Sequence, residues 1–209
     1  MRALIVSGGT PPSERIFKDE LKKCQLFLGA DSGCETYFKY NVMPHYALGD
    51  FDSIGEEYRE KLKCTNVIKF NSEKDNTDSE LAVLKAIELG AREIVLLGFT
   101  GTRIDHMLSN LGLLNTCLDN RVKAYIRDNN NTIYLIDKPT ILKDSMGKYI
   151  SFQAFGEDVE NFSIKGAKYE LENYNLTFGN GRCVSNEFLN GYISINFKKG
   201  KILIIYSND

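Results

Sequence analysis

Six aspartates stand in loop-like motifs of the first half of the chain: Asp31 in GADSG, Asp50 and Asp52 in GDFDS, Asp75 and Asp78 in EKDNTD, and Asp105 in TGTRIDH. Most of these motifs follow a short apolar run, so the strand before each one would carry its carboxylate to a common sheet edge. Carboxylates gathered at one edge repel one another unless a positive partner joins them. A hard cation such as Mg2+ is the usual partner, because it takes oxygen ligands and brings phosphate groups with it.

The elements that position these groups can be read from the apolar pattern. Up to about residue 127 the chain alternates short apolar runs with helix-like segments, the signature of a parallel sheet covered by helices. The expected strands are ALIVS from Ala3, QLFLG from Gln25, YAL from Tyr46, NVIKF from Asn66, EIVLLG from Glu93 and VKAYI from Val122. The clearest helix spans Thr77 to Leu89. Thr77 and Glu80 have capping-box spacing there, Leu81, Ala82, Leu84, Ala86 and Leu89 supply an apolar face, and Gly90 ends it. A second helix from Asp105 to Leu118 turns Leu108, Leu111 and Leu114 inward and leaves His106, Ser109 and Asn110 near its start. After Asp128 the pattern changes to β-prone pieces separated by Gly, Asn and Asp: NTIYLI, KYISFQAF, NFSIKG, YELENYNLTF, GYISINF and KILIIY. The expected fold is therefore a doubly wound, Rossmann-like parallel-sheet domain over 1–127, followed by an antiparallel β-sandwich domain over 128–209.

Composition bounds the partners. The chain has 209 residues, enough for a core without staples, and a formal net charge of -2. That charge favours neither nucleic acid nor an acidic membrane, and a small-molecule partner is expected. Five cysteines (Cys24, Cys34, Cys64, Cys117 and Cys183) show no CxxC pair and read as reduced, buried thiols. The start, MRALIVSGG, reads as a first strand and not a signal peptide, and no apolar run approaches the roughly 20 residues of a membrane span. A cytoplasmic location is expected.

Each motif has a plainer alternative. In an extended GDFDS, Asp50 and Asp52 point the same way and can grip one cation while Phe51 turns into the core. The alternative is a turn in which Asp caps a helix near Gly55. In KDNTDSE, capping accounts for Thr77, Glu80 and part of Asp78 but not for Asp75, and the Lys74–Asp78 cluster can offer a metal ligand and hydrogen-bond donors. Asp31 either joins the acidic site or starts the tight turn marked by Gly29 and Gly33. Arg103 carries a fork of donors suited to phosphate, with a surface ion pair as its alternative, and Asp105 either holds that arginine or caps the helix. His106 could be a base or an imidazole bonded at a helix start, and His45 has no motif around it. No GxxxxGK[ST], GxGxxG or GxSxG occurs at a strand end, so phosphate would be held by other means and covalent acyl chemistry is disfavoured.

Taken together and in this order, GADSG, GDFDS, EKDNTD, GFTGTRIDH and a late SNEF at Ser185 to Phe188 resemble the thiamine pyrophosphokinase family over the whole chain. The resemblance implies transfer of a diphosphoryl group from ATP to the hydroxyethyl oxygen of thiamine, giving thiamine diphosphate and AMP. It also implies Mg2+ and a homodimer whose active sites lie in clefts between subunits. By the same resemblance Asp50, Asp52 and Asp78 are the metal and phosphate-site carboxylates, Asp31 and Asp75 belong to that site, Arg103 and Asp105 to the nucleotide loop, and Thr77 and Lys74 lie beside the phosphates. Ser185, Asn186 and Phe188 match the thiamine-binding turn. Asp78 or Asp75 is the candidate base for the hydroxyl proton. An acidic cleft suits thiamine, whose thiazolium is permanently positive.

Two departures from the family pattern stand out. Thr102 occupies a position where the family often has glycine, and a positive φ there would strain the loop. Tryptophan is absent, so Phe188 or Tyr192 would have to stack on the thiamine rings. Two rival readings remain open at the level of sequence: an Asp-rich, Mg2+-dependent phosphohydrolase, and a nucleotide or thiamine sensor without catalysis.

Overall fold

The apolar runs of the first half become parallel strands in the computed structural model, which describes residues 1–52, 54–69, 76–143, 146–189 and 191–208. The chain divides into two compact units, Met1–Asn129 and Asn130–Asp209.

The first unit contains β1 (Arg2–Val6), α1 (Glu14–Leu21), β2 (Leu26–Ala30), α2 (Gly33–Lys39), β3 (Tyr46–Gly49), α3 (Glu56–Leu62), β4 (Asn66–Lys69), α4 (Asp78–Glu88), β5 (Glu93–Leu97), α5 (Ile104–Asp119) and β6 (Lys123–Arg127). Its strands run in the order β4-β3-β2-β1-β5-β6, all parallel. The central pair, β1 and β5, is buried along four of five positions, as expected where both faces are covered. Progress from β1 to β4 runs one way across the sheet and the return through β5 to β6 runs the other. Right-handed crossovers therefore place α4 and α5 on the face opposite α1 and α2.

Under α1 and α2, Leu4, Val6, Val95 and Leu97 meet Ile16, Phe17 and Tyr37. Phe17 and Tyr37 pack edge to face with centroids 5.3 Å apart, and the Tyr37 hydroxyl donates to the Leu4 carbonyl at 2.8 Å, so this buried ring leaves no unpaired polar atom. Glu20, also on α1, is buried between Arg2, Tyr125 and Arg127. His45 is structural: its Nδ1 accepts from Phe27 N at 3.0 Å and its ring stacks on Phe27.

Both expected helices form, and Ala82, Ala86 and Leu114 are buried as expected, but the leucines expected beside them are not all buried. On α4 the buried residues are Ser79, Ala82, Val83 and Ala86, while Leu84 is 37% exposed. On α5 they are Asn110, Leu113, Leu114 and Cys117, with Leu108 54% exposed. A helix lying on a sheet approaches more closely through small side chains, and the longer leucines then fall on the flank. Four of the cysteines are buried, but Cys64 is exposed, because it lies in the turn that follows α3. Among the described residues no helix is long and apolar enough to cross a membrane.

The second unit is antiparallel throughout. It contains β7 (Asn131–Ile136), β8 (Thr140–Lys143), β9 (Tyr149–Ala154), β10 (Val159–Lys165), β11 (Leu171–Leu176), a 3-10 turn (Gly181–Cys183), β12 (Tyr192–Asn196) and β13 (Ile202–Ser207). Strands β7-β13-β9 form one layer and β11-β10-β12-β8 the other. Ile150, Phe152, Ile202 and Ile204 from the first layer meet Phe162, Ile164, Ile193 and Ile195 from the second, so alternate residues of each strand fill a sandwich core. The sequence pattern did not single out β8. It is a four-residue edge strand whose Ile141 is 60% exposed, which leaves too little alternation to read.

Candidate active site

The strand order reverses between β1 and β5, and a cavity of about 690 Å³ opens beyond the carboxyl ends of the strands at this point. Its walls are the segment 7–10 after β1, Asp31 and Ser32 after β2, Asp50 after β3, 76–79 at the start of α4, and 98–103 after β5. His106, Met107 and Asn110 of α5 complete it.

The two loops of the reversal touch through their backbones. Gly9 N donates to Gly98 O at 2.8 Å and Thr10 N to Thr100 O at 2.7 Å. A Cβ on Gly9 would lie 2.3 Å from Thr100 O and 2.5 Å from Gly98 O, and Gly98 itself has φ +71°, where a Cβ would lie 2.3 Å from Ser7 O. Only glycine permits this approach. The second loop is held from behind: Asn110 Nδ2 donates to Phe99 O at 2.8 Å, and Thr100 Oγ1 to Asp128 Oδ2 at 2.9 Å.

The carboxylates arrive by different local routes. Asp31 has φ 49° and its carbonyl accepts from Cys34 N at 3.1 Å, so it does start the turn into α2, and it also lines the cavity. Asp50 lines the cavity as well. The extended GDFDS expected from sequence does not form: Phe51 is buried as expected, but its φ is 62°. The alternation is thereby broken: Asp52 N donates to Asp50 Oδ1 at 3.1 Å, and the Asp52 side chain is exposed outside the lining. Capping of α3 by an aspartate is also not seen, since its N-cap is Gly55, whose N–H donates to Glu35 Oε1 at 2.7 Å. Thr77 caps α4 by accepting from Glu80 N at 3.2 Å, which sets Asp78 as the first helical residue on the cavity wall. Lys74 and Asp75 lie outside the described residues.

Arg103 reaches the cavity rim and is gripped by Asp105, with Nη2 to Oδ2 at 2.6 Å and Nε to Oδ1 at 3.3 Å. Of the two expectations for Asp105, holding the arginine is the one realised; the N-cap of α5 is Arg103 itself, without a side-chain bond. Hydrogen bonds from Arg103, and then from the His106 backbone, pull the Asp105 carboxyl down to about 2. Asp105 therefore stays ionised across the physiological range and presents the guanidinium to the rim. Thr102 has no positive φ, so the suspected strain is absent.

In the second unit, Asn186 is buried and both ends of its amide are hydrogen-bonded. Oδ1 accepts from Tyr169 N at 3.0 Å and Glu187 N at 2.9 Å, and Nδ2 donates to Tyr169 O at 2.8 Å. Ser185, at φ 57°, donates its N–H to Ser151 Oγ at 3.0 Å, and its side chain is exposed. Phe188 stacks on Tyr206 at 6.2 Å and 12°, while Tyr192 is 51% exposed.

Sequence reading missed Ser7, Gly8, Gly9, Thr10, Ser32, Asn76, Ser79 and Thr100 as cavity residues. The one available signal was SGGT immediately after the first apolar run, where two glycines permit a close backbone approach.

Comparison with known proteins agrees with this layout. Residues 17–126 match the family model "Thiamin pyrophosphokinase, catalytic domain", and residues 136–202 match "Thiamin pyrophosphokinase, vitamin B1 binding domain". The chain is 35% identical over 188 residues to the thiamine pyrophosphokinase of Bacillus subtilis, covering 88% of each sequence. A crystal structure of the Bacillus subtilis thiamine pyrophosphokinase aligns with a TM-score of 0.88 at 32% identity, with 100% of each chain covered. One from Geobacillus thermodenitrificans aligns at 0.86 and 32%, covering 100% of this chain and 98% of that one. Two family models and a relative above 30% identity, on a fold that shares this topology, place the chain in the thiamin pyrophosphokinase family.

Proposed function

We propose that this protein transfers the diphosphoryl group of ATP to thiamine, forming thiamine diphosphate and AMP. The observation that carries the reading is the cavity at the strand-order reversal, where Asp31, Asp50, Asp78 and Arg103 converge in a chain of this family. The thiamine hydroxyethyl oxygen attacks the β-phosphorus of ATP. As the new O–P bond forms, the bond from the β-phosphorus to the oxygen of AMP breaks. Asp78 or Asp75 takes the hydroxyl proton.

Among the described residues no three His, Cys, Asp or Glu side chains form a preformed metal cage. That suits Mg2+ bound with its substrate, since it takes only one or two protein carboxylates and fills its other positions with water and phosphate oxygens. Asp50 and Asp78 would hold it, with Asp52 supporting Asp50 through its N–H or joining as a further carboxylate. Mg2+ held there would neutralise charge on the transferring phosphate oxygens. Arg103, oriented by Asp105, adds a fixed positive fork at the rim, with Thr77 and Lys74 beside the phosphates and Asp31 completing the acidic wall. Ser185 and Phe188 contact thiamine, and Asn186 shapes their turn through its three side-chain hydrogen bonds. A homodimer and a cytoplasmic location belong to this proposal on the family likeness.

The test is to incubate the protein with Mg2+, ATP and thiamine and to quantify products. Thiamine diphosphate and AMP in equal amounts, only with all three components present, is the expected result. Release of ADP or phosphate without thiamine diphosphate would sink the proposal in favour of hydrolysis. Saturable binding without turnover would sink it in favour of a sensor.

A further inference from the structure

Ser7 and Ser79 stand 72 residues apart in sequence, yet their hydroxyl oxygens lie 2.7 Å apart in the cavity wall. Ser7 follows β1, and Ser79 is the second residue of α4 and is buried. A hydroxyl has one proton to donate and two lone pairs to accept with. Two hydroxyls bonded to each other use one proton between them and keep the other. Among the described residues the pair makes no other side-chain hydrogen bond.

We infer that Ser7 and Ser79 act as a single donor unit for the polyphosphate of the nucleotide, with Ser79 donating to Ser7 and Ser7 presenting its proton to a phosphate oxygen. Ser7 is the more accessible of the two and so is the outer member. A hydroxyl that already accepts a hydrogen bond is a stronger donor, so Ser79 improves Ser7 without touching the ligand. A phosphate oxygen, which only accepts, is the matching group. This deepens the reading of the cavity as the nucleotide site and rests on it. Ser79 is on these terms a positioning residue and Ser7 a binding residue.

The experiment is calorimetric titration of the full chain with a non-hydrolysable α,β-methylene analogue of ATP, and separately with adenosine. The variants are Ser7→Ala, Ser79→Ala, the double variant and Ser7→Thr. A lost hydrogen bond to a charged group corresponds to about tenfold or more in affinity. Ser7→Ala is expected to weaken the analogue about tenfold and Ser79→Ala less, by about two- to fourfold, since Ser79 only polarises Ser7; the double variant is expected to be no worse than Ser7→Ala, and Ser7→Thr to recover affinity to within about threefold. Adenosine, without phosphates, is expected to bind all of them alike. Analogue affinities within about twofold of wild type for both alanine variants would overturn the inference, since that is far less than one such bond. So would equal weakening of adenosine, or failure of Ser7→Thr to recover. Wild-type protein that makes thiamine diphosphate while both alanine variants bind normally would refute the pair and keep the reaction. Weakened analogue binding in the variants, with no thiamine diphosphate from wild type, would refute the reaction and keep the pair.

Discussion

Gly9→Ala is the sharpest test of how the cavity is built. The new methyl carbon would lie 2.3 Å from Thr100 O and 2.5 Å from Gly98 O. Ordinary carbon–oxygen contact is about 3.4 Å, so relief requires the two loops to separate by about 1 Å. Both obstacles are backbone carbonyls, which cannot rotate aside as a side chain would. Separation stretches the bonds Gly9 N to Gly98 O and Thr10 N to Thr100 O. Overpacking costs about 1–3 kcal/mol and each of the two weakened backbone bonds about 0.5–1.5 kcal/mol, giving roughly 2–6 kcal/mol in all. For a chain of this size that is on the order of 10 °C in Tm. The functional loss should be larger, because a misplacement of about 1 Å in a site can cost about 100-fold in rate. Gly112→Ala is the matched control: Gly112 lies inside α5, a Cβ there meets nothing within 4 Å, and the change should stabilise by about 0.5–1 kcal/mol. Calorimetry with steady-state kinetics reads both variants. A Gly9→Ala enzyme within threefold of wild-type kcat/KM and within about 2 °C in Tm would refute the close-contact account of the cavity.

Four further perturbations separate stability from chemistry. Glu20 is buried against Arg2, Tyr125 and Arg127, so Glu20→Gln should cost about 2–4 kcal/mol at neutral pH, the fully buried figure being reduced by the partial exposure of both arginines. Burial pushes the Glu20 carboxyl up, but the hydrogen bonds from Tyr125 and Arg127 outweigh it and leave the carboxyl below its ordinary value. Its contribution is thus present above that ordinary value and lost as pH falls through the folded one, so the gap to Glu20→Gln should narrow in acid. Urea unfolding at neutral and acid pH measures this, and a neutral-pH gap under about 1 kcal/mol contradicts it. Asn129 accepts from Ser13 N at 2.8 Å and donates to Pro11 O at 3.5 Å, so Asn129→Ala should speed hydrogen exchange at the Ser13 amide while the core β1 amides stay protected. Unchanged Ser13 exchange would count against that latch. Asp50→Asn should lower kcat by about 100-fold or more with Tm unchanged, and Asp52→Ala, which keeps the backbone N–H that Asp50 accepts, should abolish turnover only if the Asp52 carboxylate itself joins the metal site. Near-normal turnover in either variant removes that residue from the metal set.

The strands were readable because the central ones have little choice. Ala3 to Val6 and Ile94 to Leu97 are covered on both faces, so the apolar runs are unbroken and their ends stand out against the turn residues that follow. Helix faces were less readable because leucine was given weight by type and not by angle. Ser79, Ala82, Val83 and Ala86 follow the i, i+3, i+4, i+7 rule in full, but their small side chains carry little hydrophobic signal, and the sheet selects them for close approach. Leu84 carries more signal and faces outward. Phe51 breaks the pattern at a single residue: its ring is buried as expected, but at φ 62° it interrupts the extended run, and Asp50 lines the cavity while Asp52 does not.

The site divides along a physical line between groups that carry charge and groups that make room. Asp31, Asp50, Asp78 and Arg103 are recognisable in a sequence because few structural roles need a charged side chain at a strand end. Ser7, Gly8 and Gly9 occupy the same cavity, but what Gly8 and Gly9 contribute is the absence of a side chain, and serine–glycine runs occur in ordinary turns throughout proteins. What distinguishes this run is only the loop it meets, residues 98–101, nearly ninety positions later. A backbone contact over that span leaves no local pattern. It can be read only once the crossover from β4 to β5 has placed β5 beside β1, and that same crossover gathers the ends of β1, β2, β3 and β5 and the start of α4 into one cavity.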